Sequence, residues 1–314
     1  MPLPTIKDVR PVDPVLTNLS IGFKNERFLW DKIAPSAKVD QQSGTYFIYT
    51  RDYWFRRLQG GVVTPGGGYT RVGYGLSTGT YATIERGFEK ILPDSILKAS
   101  QTPDSLKVRD LAFLTNLIQL ELEKDVAAAA FITGVWGTST TLAGTDQWSD
   151  FDVSDPIAKI DTAIRTIRRN TGARPNVLFV GLAAWEKLKE HPLLLDKYKH
   201  TQKGILTAEL VAAALSVEEL VVGDSVENTA DEGAAFVGAD IWTDSALLLV
   251  RNAPGLDVAT GALTIMWDEA GNVPWAAQEY RDEEKRGDVQ RVFSHYVPKI
   301  VSAQHGYLYL DCVA

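Results

Sequence analysis

Thr45-Tyr46-Phe47-Ile48-Tyr49-Thr50-Arg51-Asp52-Tyr53-Trp54-Phe55 and, on the return, Thr80-Tyr81-Ala82-Thr83-Ile84 are two β-prone arms, the first rich in rings. Eight of the 25 glycines lie between Gly60 and Gly79, so the whole stretch from Thr45 to Leu92 reads as a long ribbon with a loose tip. Extended over roughly 13 residues at ~3.3 Å each, an arm would reach about 40 Å, past the edge of a compact domain. A two-stranded ribbon is marginal in water by itself. Neighbouring side chains on a strand point to opposite faces, so Tyr53, Trp54 and Phe55 cannot all meet one core. Burying a large apolar side chain gives about 1.5–3 kcal/mol gross, and a few rings could therefore offset the ordering of the arm if another subunit supplies the surface. The ribbon is expected to be an assembly element.

Outward from the ribbon, the first 44 residues carry Pro2, Pro4, Pro11, Pro14 and Pro35 around a short amphipathic piece near Ile21 to Ile33, which fits an arm lying on other surfaces. On the other side Thr102-Pro103-Asp104 supplies an N-cap, a proline at the first helical position and an acid in the first turn. Leu111, Leu114, Ile118, Leu122 and Val126 then follow at helical spacing, widened by Phe113, Leu117 and Leu120, until Gly134 stops a rod of about 45 Å. The Thr, Ser and Gly-rich run from Gly134 to Phe151, with Trp136 and Trp148 as anchors, predicts a loop between two lobes. Asp155-Pro156 opens a second helix bearing Ile157, Ile160, Ile164 and Ile167, with Arg165, Arg168 and Arg169 near its negative end and Gly172 beyond it. Strands are predicted at Val177 to Val180, Leu220 to Val222 and Leu247 to Val250, and helices at Leu182 to Glu190 and near Leu206 to Leu215. Val289 to Leu310 alternates as strand.

Composition narrows the function classes. The 314 residues are 45% hydrophobic, which allows a large core, and no run of about twenty apolar residues predicts a membrane span. No basic segment followed by an apolar one marks the start, so export is not expected, and Asn18-Leu19-Ser20 carries no weight as a glycosylation triplet. A lone Cys312 excludes an internal disulfide framework and fits a reducing cytosol. A net charge of −8 argues against gripping nucleic acid through the overall field, and local basic residues such as Arg51, Arg56 and Arg57 read as solvated or ion-paired.

Catalytic patterns are present only in fragments. Gly75-Leu76-Ser77-Thr78-Gly79 matches the G-x-S-x-G spacing, yet a nucleophile elbow needs a strand before Ser77 and a helix after it, and here glycine loop precedes and β-prone sequence follows. Gly73-Tyr74-Gly75 begins like a dinucleotide loop but meets Thr78, and no phosphate-loop pattern occurs. His191, His200, His295 and His305 show no zinc-binding spacing. Asp150 with Asp152, and Asp282-Glu283-Glu284, could hold a cation only if buried together; as solvated acidic loops they need no ligand. No catalytic, cofactor-binding or metal residue is assigned.

Three segments carry a family resemblance. Ile33-Ala34-Pro35, Val39 and Gln42-Ser43-Gly44-Thr45-Tyr46 are similar to the strand entering an extended loop. Tyr81 to Leu92 with Pro93-Asp94, then Leu120-Glu121-Leu122-Glu123-Lys124-Asp125-Val126-Ala127, resemble the return strand and spine helix. Gly172-Ala173-Arg174-Pro175-Asn176-Val177-Leu178-Phe179-Val180 followed by Trp185, Leu188 and His191-Pro192 looks like the start of an axial domain. In this order they resemble HK97-type major capsid proteins of tailed bacteriophages, over nearly the whole chain. The resemblance implies an α+β fold with an N-terminal arm (1–44), an extended β-hairpin loop (45–92), a peripheral domain (93–152) with the spine helix at about 103–133, a mixed α/β axial domain (153–288) and C-terminal strands (289–314) returning to the peripheral domain.

It further implies self-assembly through hexamers and pentamers into an icosahedral head around double-stranded DNA, bound without sequence specificity and without membrane, in a bacterial cytoplasm. A portal and a separate scaffolding protein are the expected partners, because the sequence enters the arm at once. Some members cross-link a lysine of the loop to a neighbour, but no lysine lies between Thr45 and Glu89, so non-covalent contacts are expected from Arg51, Asp52, Tyr53, Trp54, Phe55, Arg56 and Arg57. Two other readings stand beside this one: an encapsulin-like compartment, which shares the fold, and a serine hydrolase using Ser77.

Overall fold

The computed structural model describes residues 25, 27–49, 51–57, 61–100, 103–198, 207–252, 260–267 and 275–314. In chain order the strands are β1 (Ser36–Val39), β2 (Ser43–Tyr49), β3 (Leu76–Ala82), β4 (Ile84–Pro93), β5 (Thr138–Thr141), β6 (Val177–Gly181), β7 (Glu219–Gly223), β8 (Val226–Asn228), β9 (Gly238–Asp240), β10 (Ala246–Leu249), β11 (Ala262–Trp267), β12 (Ala276–Asp282), β13 (Gly287–Ile300) and β14 (Gly306–Leu310). Among the described residues they form two five-stranded sheets and two separate hairpins, β2–β3 and β8–β9.

The first sheet is organised by β13. One of its edges takes β4 from Gly287↔Pro93 to Tyr296↔Ile84, and the other takes β12 and then β11, on whose far side β1 runs parallel. The spine helix Pro103–Ala130 packs on this sheet, with Leu114, Ile118 and Val292 closing a small core. Its described part follows the predicted stripe, but Thr102, the expected N-cap, lies outside the described residues. Helical geometry stops at Ala130, four residues before Gly134, whose φ of 83° suits glycine.

The second sheet has the order β5-β14-β10-β6-β7. Its strands alternate between two cores, as period-2 geometry requires when both faces are covered. Leu178, Val180, Ala246 and Leu248 face the helix Pro156–Thr171 and its neighbours, whereas Val177, Phe179, Leu247 and Leu249 face the C-terminal half of the spine helix. That second core also takes Ala262, Met266 and Tyr296 from the first sheet, so both sheets and the helix share it. Pro156–Thr171 begins and ends as its sequence predicts: Asp155 accepts from the Ala158 N–H (2.9 Å), and Gly172 closes it at φ 72°.

Three expectations change. Gly134 to Phe151 is not only loop, because β5 pairs parallel with β14 and the two tryptophans flank it in buried sites. The alternating stretch Val289 to Leu310 divides between the sheets: β13 lies in the first, and β14 is an interior strand of the second, with Tyr307 and Tyr309 facing one core and Leu308 the other. The first ribbon arm leaves β structure after Tyr49, and Arg51–Trp54 form a helical turn.

Gly181 ends β6 where the carbonyl of Thr243 comes so near that an added Cβ would stand 1.8 Å from its oxygen. Backbone, unlike a side-chain tip, cannot swing aside. Gly181→Ala should therefore destabilise the chain by about 2–3 kcal/mol, read as a lower urea midpoint at unchanged slope; an unchanged midpoint would contradict this account of the corner.

Candidate assembly surface

The ribbon pairs Ser43↔Ala82 through Tyr49↔Leu76. On one face each tyrosine lies across the glycine opposite: Tyr46 covers Gly79 and Tyr81 covers Gly44, so that an added Cβ would meet the rings at 2.4 and 2.7 Å. Glycine at 44 and 79 is what lets the rings lie flat against the backbone. At the root, both the N–H and the hydroxyl of Thr83 donate to the Gln42 carbonyl (2.9 and 3.0 Å). Just beyond, Arg86 pairs with Asp125 of the spine helix (3.0 Å) and stacks over Tyr296 at 4.6 Å. The base of the ribbon is thus tied to the body.

Its outer part is not covered. Trp54 swings from the helical turn to meet Tyr49 and Tyr74 at ring separations of 5.9 and 6.2 Å, yet Trp54 remains 65% exposed and Tyr74 62%. Phe55, 62% exposed, reaches Gly172 at the end of the capped helix, and Arg51 Nη1 donates to Gln304 Oε1 at 3.3 Å. Between ribbon and body these contacts leave a cavity of about 880 Å3. The turn resolves the problem posed by three consecutive rings, since a helix separates their directions by about 100° where a strand alternates them.

All seven predicted contact residues, Arg51, Asp52, Tyr53, Trp54, Phe55, Arg56 and Arg57, are exposed and lie on this one elbow instead of along an extended arm. Charge sets the ribbon apart as well. Thr45 to Ala82 holds four arginines and one aspartate, a net +3 in a chain of −8, which leaves −11 on the remainder.

The other sequence motifs take structural places. Ser77 lies within β3 opposite Ile48, its hydroxyl donates to the Ile48 carbonyl (3.2 Å), and no strand-to-helix turn surrounds it, so the hydrolase geometry is absent. His305, which borders the same cavity, bonds through Nδ1 to Ser302 Oγ (2.6 Å). His191 is buried, with Nδ1 accepting from the Leu193 N–H (3.3 Å) and Nε2 meeting Ser154 Oγ (3.1 Å); burial pushes its pKa down. His295 sits between Trp267 and Phe293, and His200 lies outside the described residues. Asp150 and Asp282 accept backbone N–H groups in their own turns. Among the described residues no group of three or more His, Cys, Asp or Glu is placed to hold a metal ion, and no helix is long and apolar enough to cross a membrane.

One site escaped the sequence reading. Glu123 is fully buried on the spine helix beside Leu122 and Val126, where its carboxylate accepts from Ser225, Leu29, Trp30 and Trp242. Burial pushes its pKa up, and these hydrogen bonds oppose the rise. The available signal was a carboxylate bracketed by stripe residues and followed by Ala127 to Ala130, a run that permits close approach.

The family described as Phage major capsid protein E matches residues 135–287. A major capsid protein of Burkholderia phage BcepMu is 29% identical over 247 residues, covering 76% of this chain and 75% of its own. The chain has the HK97-type fold, and what it resembles in sequence is phage major capsid proteins. Among solved structures, a phage-related protein of Bordetella bronchiseptica aligns to this chain with a TM-score of 0.73 at 23% identity, covering 96% of this chain and 98% of that one. The SrpI encapsulin of Synechococcus elongatus aligns with a TM-score of 0.58 at 9% identity, covering 96% of both, so the fold alone does not separate phage shells from encapsulins. The sequence relatives, in contrast, are major capsid proteins of phages.

Proposed function

We propose that this chain assembles through hexamers and pentamers into an icosahedral phage head enclosing double-stranded DNA, with the ribbon of each subunit lying on a neighbouring copy. The observation that carries this reading is the elbow: its rings stay more than half exposed, which is costly in water unless a partner covers them. Arg51, Asp52, Tyr53, Trp54, Phe55, Arg56 and Arg57 are its contacts, and non-covalent burial replaces cross-linking. The arm root, spine helix, axial strands and C-terminal strands meet in one core and the ribbon projects from it, with 1–44, 45–92, 93–152, 153–288 and 289–314 as working divisions. Acidic charge on the rest of the chain suits a wall that lets packaged DNA slide without sequence preference. A portal, a separate scaffolding protein and assembly in the bacterial cytoplasm complete the proposal.

An encapsulin-like container is the second reading, favoured only by the shared fold. Negative-stain microscopy of the purified protein, with nuclease-sensitive nucleic acid assayed in particles from the native source, separates them. Closed shells containing DNA are the expected result. Shells filled with protein would favour the second reading, and a monodisperse monomer at high concentration would overturn both.

A further inference from the structure

Glu123 is met by donors from three separate segments. The Leu29 N–H reaches both carboxylate oxygens (3.0 and 2.8 Å) and the Trp30 N–H reaches Oε2 (2.8 Å). Ser225 Oγ (2.7 Å) and Trp242 Nε1 (2.9 Å) donate to Oε1. Neutral groups supply all of these bonds, so the buried anion is stable only while the set is complete; each donor withdrawn leaves charge uncompensated at low dielectric. The chain before Leu29 follows the same line. The Arg27 carbonyl lies 3.2 Å from Ser225 Oγ, and the Asn25 side chain makes two bonds with the backbone of Val226, at 3.0 and 3.1 Å. Asn25 and Arg27 thus lie along the start of β8, and Glu123 anchors Leu29 and Trp30 just beyond them.

We propose that Glu123 is a positioning residue for assembly, holding the arm root at Leu29 and Trp30 to the spine helix. The inference rests on the reading of the chain as a self-assembling shell subunit. A root free to pivot at Leu29 would have to be ordered when subunits meet, whereas a root held to the spine helix and to the β8–β9 hairpin is already fixed, which lowers the entropy cost of association. Because Ser225 and Trp242 share the carboxylate with the arm root, displacing any one of the three segments weakens the hold on the other two. Glutamine keeps the shape but turns an N–H2 group toward donors, and no amide flip satisfies both oxygens' partners.

The test compares full-length Glu123→Gln with wild type and with Ile118→Val, which trims the spine-helix core and leaves Glu123 and its donors in place. Hydrogen exchange at residues 27–33 and the number and diameter of shells by electron microscopy are the readouts. In Glu123→Gln, the Leu29 and Trp30 amides should exchange roughly tenfold faster or more, with few shells or shells of irregular diameter. Ile118→Val should exchange there and assemble as wild type does. Unchanged exchange at Leu29 and Trp30 in Glu123→Gln, or shells of wild-type number and diameter, would overturn the proposal. Should that variant not fold, Trp242→Phe removes one donor, and the same two readouts apply with a smaller shift. If wild type itself forms no shells, the shell reading falls, and exchange alone still decides whether Glu123 holds the arm root.

Discussion

Ile118→Asp should cost on the order of 4 kcal/mol or more, enough to leave most subunits insoluble given total stabilities of about 5–15 kcal/mol. Ile118 is 1% exposed and packs with Leu114 and Val292 where the spine helix crosses β13, with Leu111 and Trp275 at the margin. A carboxylate there meets apolar groups on every side. The control lies on the same helix: Phe113 is 52% exposed, outside the buried and half-buried set of that core, with only Lys90 Nζ over its ring at 5.9 Å as a recorded ring contact, and Phe113→Asp should shift the urea midpoint by an amount equivalent to less than about 0.5 kcal/mol. The pair tests the phase of the helix and not merely its existence. Equal behaviour of the two variants would show that the stripe is misassigned.

That contrast also marks how far the sequence could be read. Local signals that satisfy backbone groups, such as Asp155 before Pro156 and Gly172 after Thr171, were legible because capping chemistry is decided within a few residues. The apolar stripe of the spine helix was legible for the same reason, but its widening through Phe113 was not resolved: periodicity locates a face, and only packing tells where that face runs out. Placement of β5 and β14 depended on partners far apart in the chain, such as Thr138 paired with Tyr307, and on a side-chain hydrogen bond between Thr140 and Tyr307, 167 residues apart, that no local pattern announces. The ribbon shows both limits together. Its arms were identifiable, yet the run Tyr53-Trp54-Phe55, read as strand, folds as a turn because Tyr49 and Tyr74 offer Trp54 a ring cluster that an extended backbone would deny it. Glu123 was hidden for a related reason. A glutamate on a helix is solvated in most proteins, and its donors come from Leu29, Trp30, Ser225 and Trp242, more than ninety residues away in either direction.

Reversing two charges on the elbow should disable assembly while leaving the subunit intact. Arg56 and Arg57 are exposed, so Arg56→Glu with Arg57→Glu removes no core contact and should leave the urea midpoint unchanged. Between subunits the balance differs on the proposed contact, where the ribbon's net +3 would meet surfaces drawn from a remainder of −11. An exposed ion pair contributes about 0.2–1 kcal/mol, and reversal replaces attraction by repulsion of similar size at each position. Two positions then give about 1–4 kcal/mol per ribbon contact, and in the proposed shell every subunit would both donate a ribbon and receive one. The subunit concentration needed for assembly should accordingly rise by roughly one to three orders of magnitude at low salt, since each 1.4 kcal/mol is a factor of ten. Raising ionic strength to about 0.5 M shortens the screening length to a few ångströms and should recover part of the loss, because Trp54 and Phe55 remain to bury apolar surface. Light scattering against protein concentration at two salt levels makes the measurement. An assembly threshold equal to wild type at low salt would mean that the basic elbow faces solvent in the finished shell, and the neighbour's surface would have to be sought elsewhere on the ribbon.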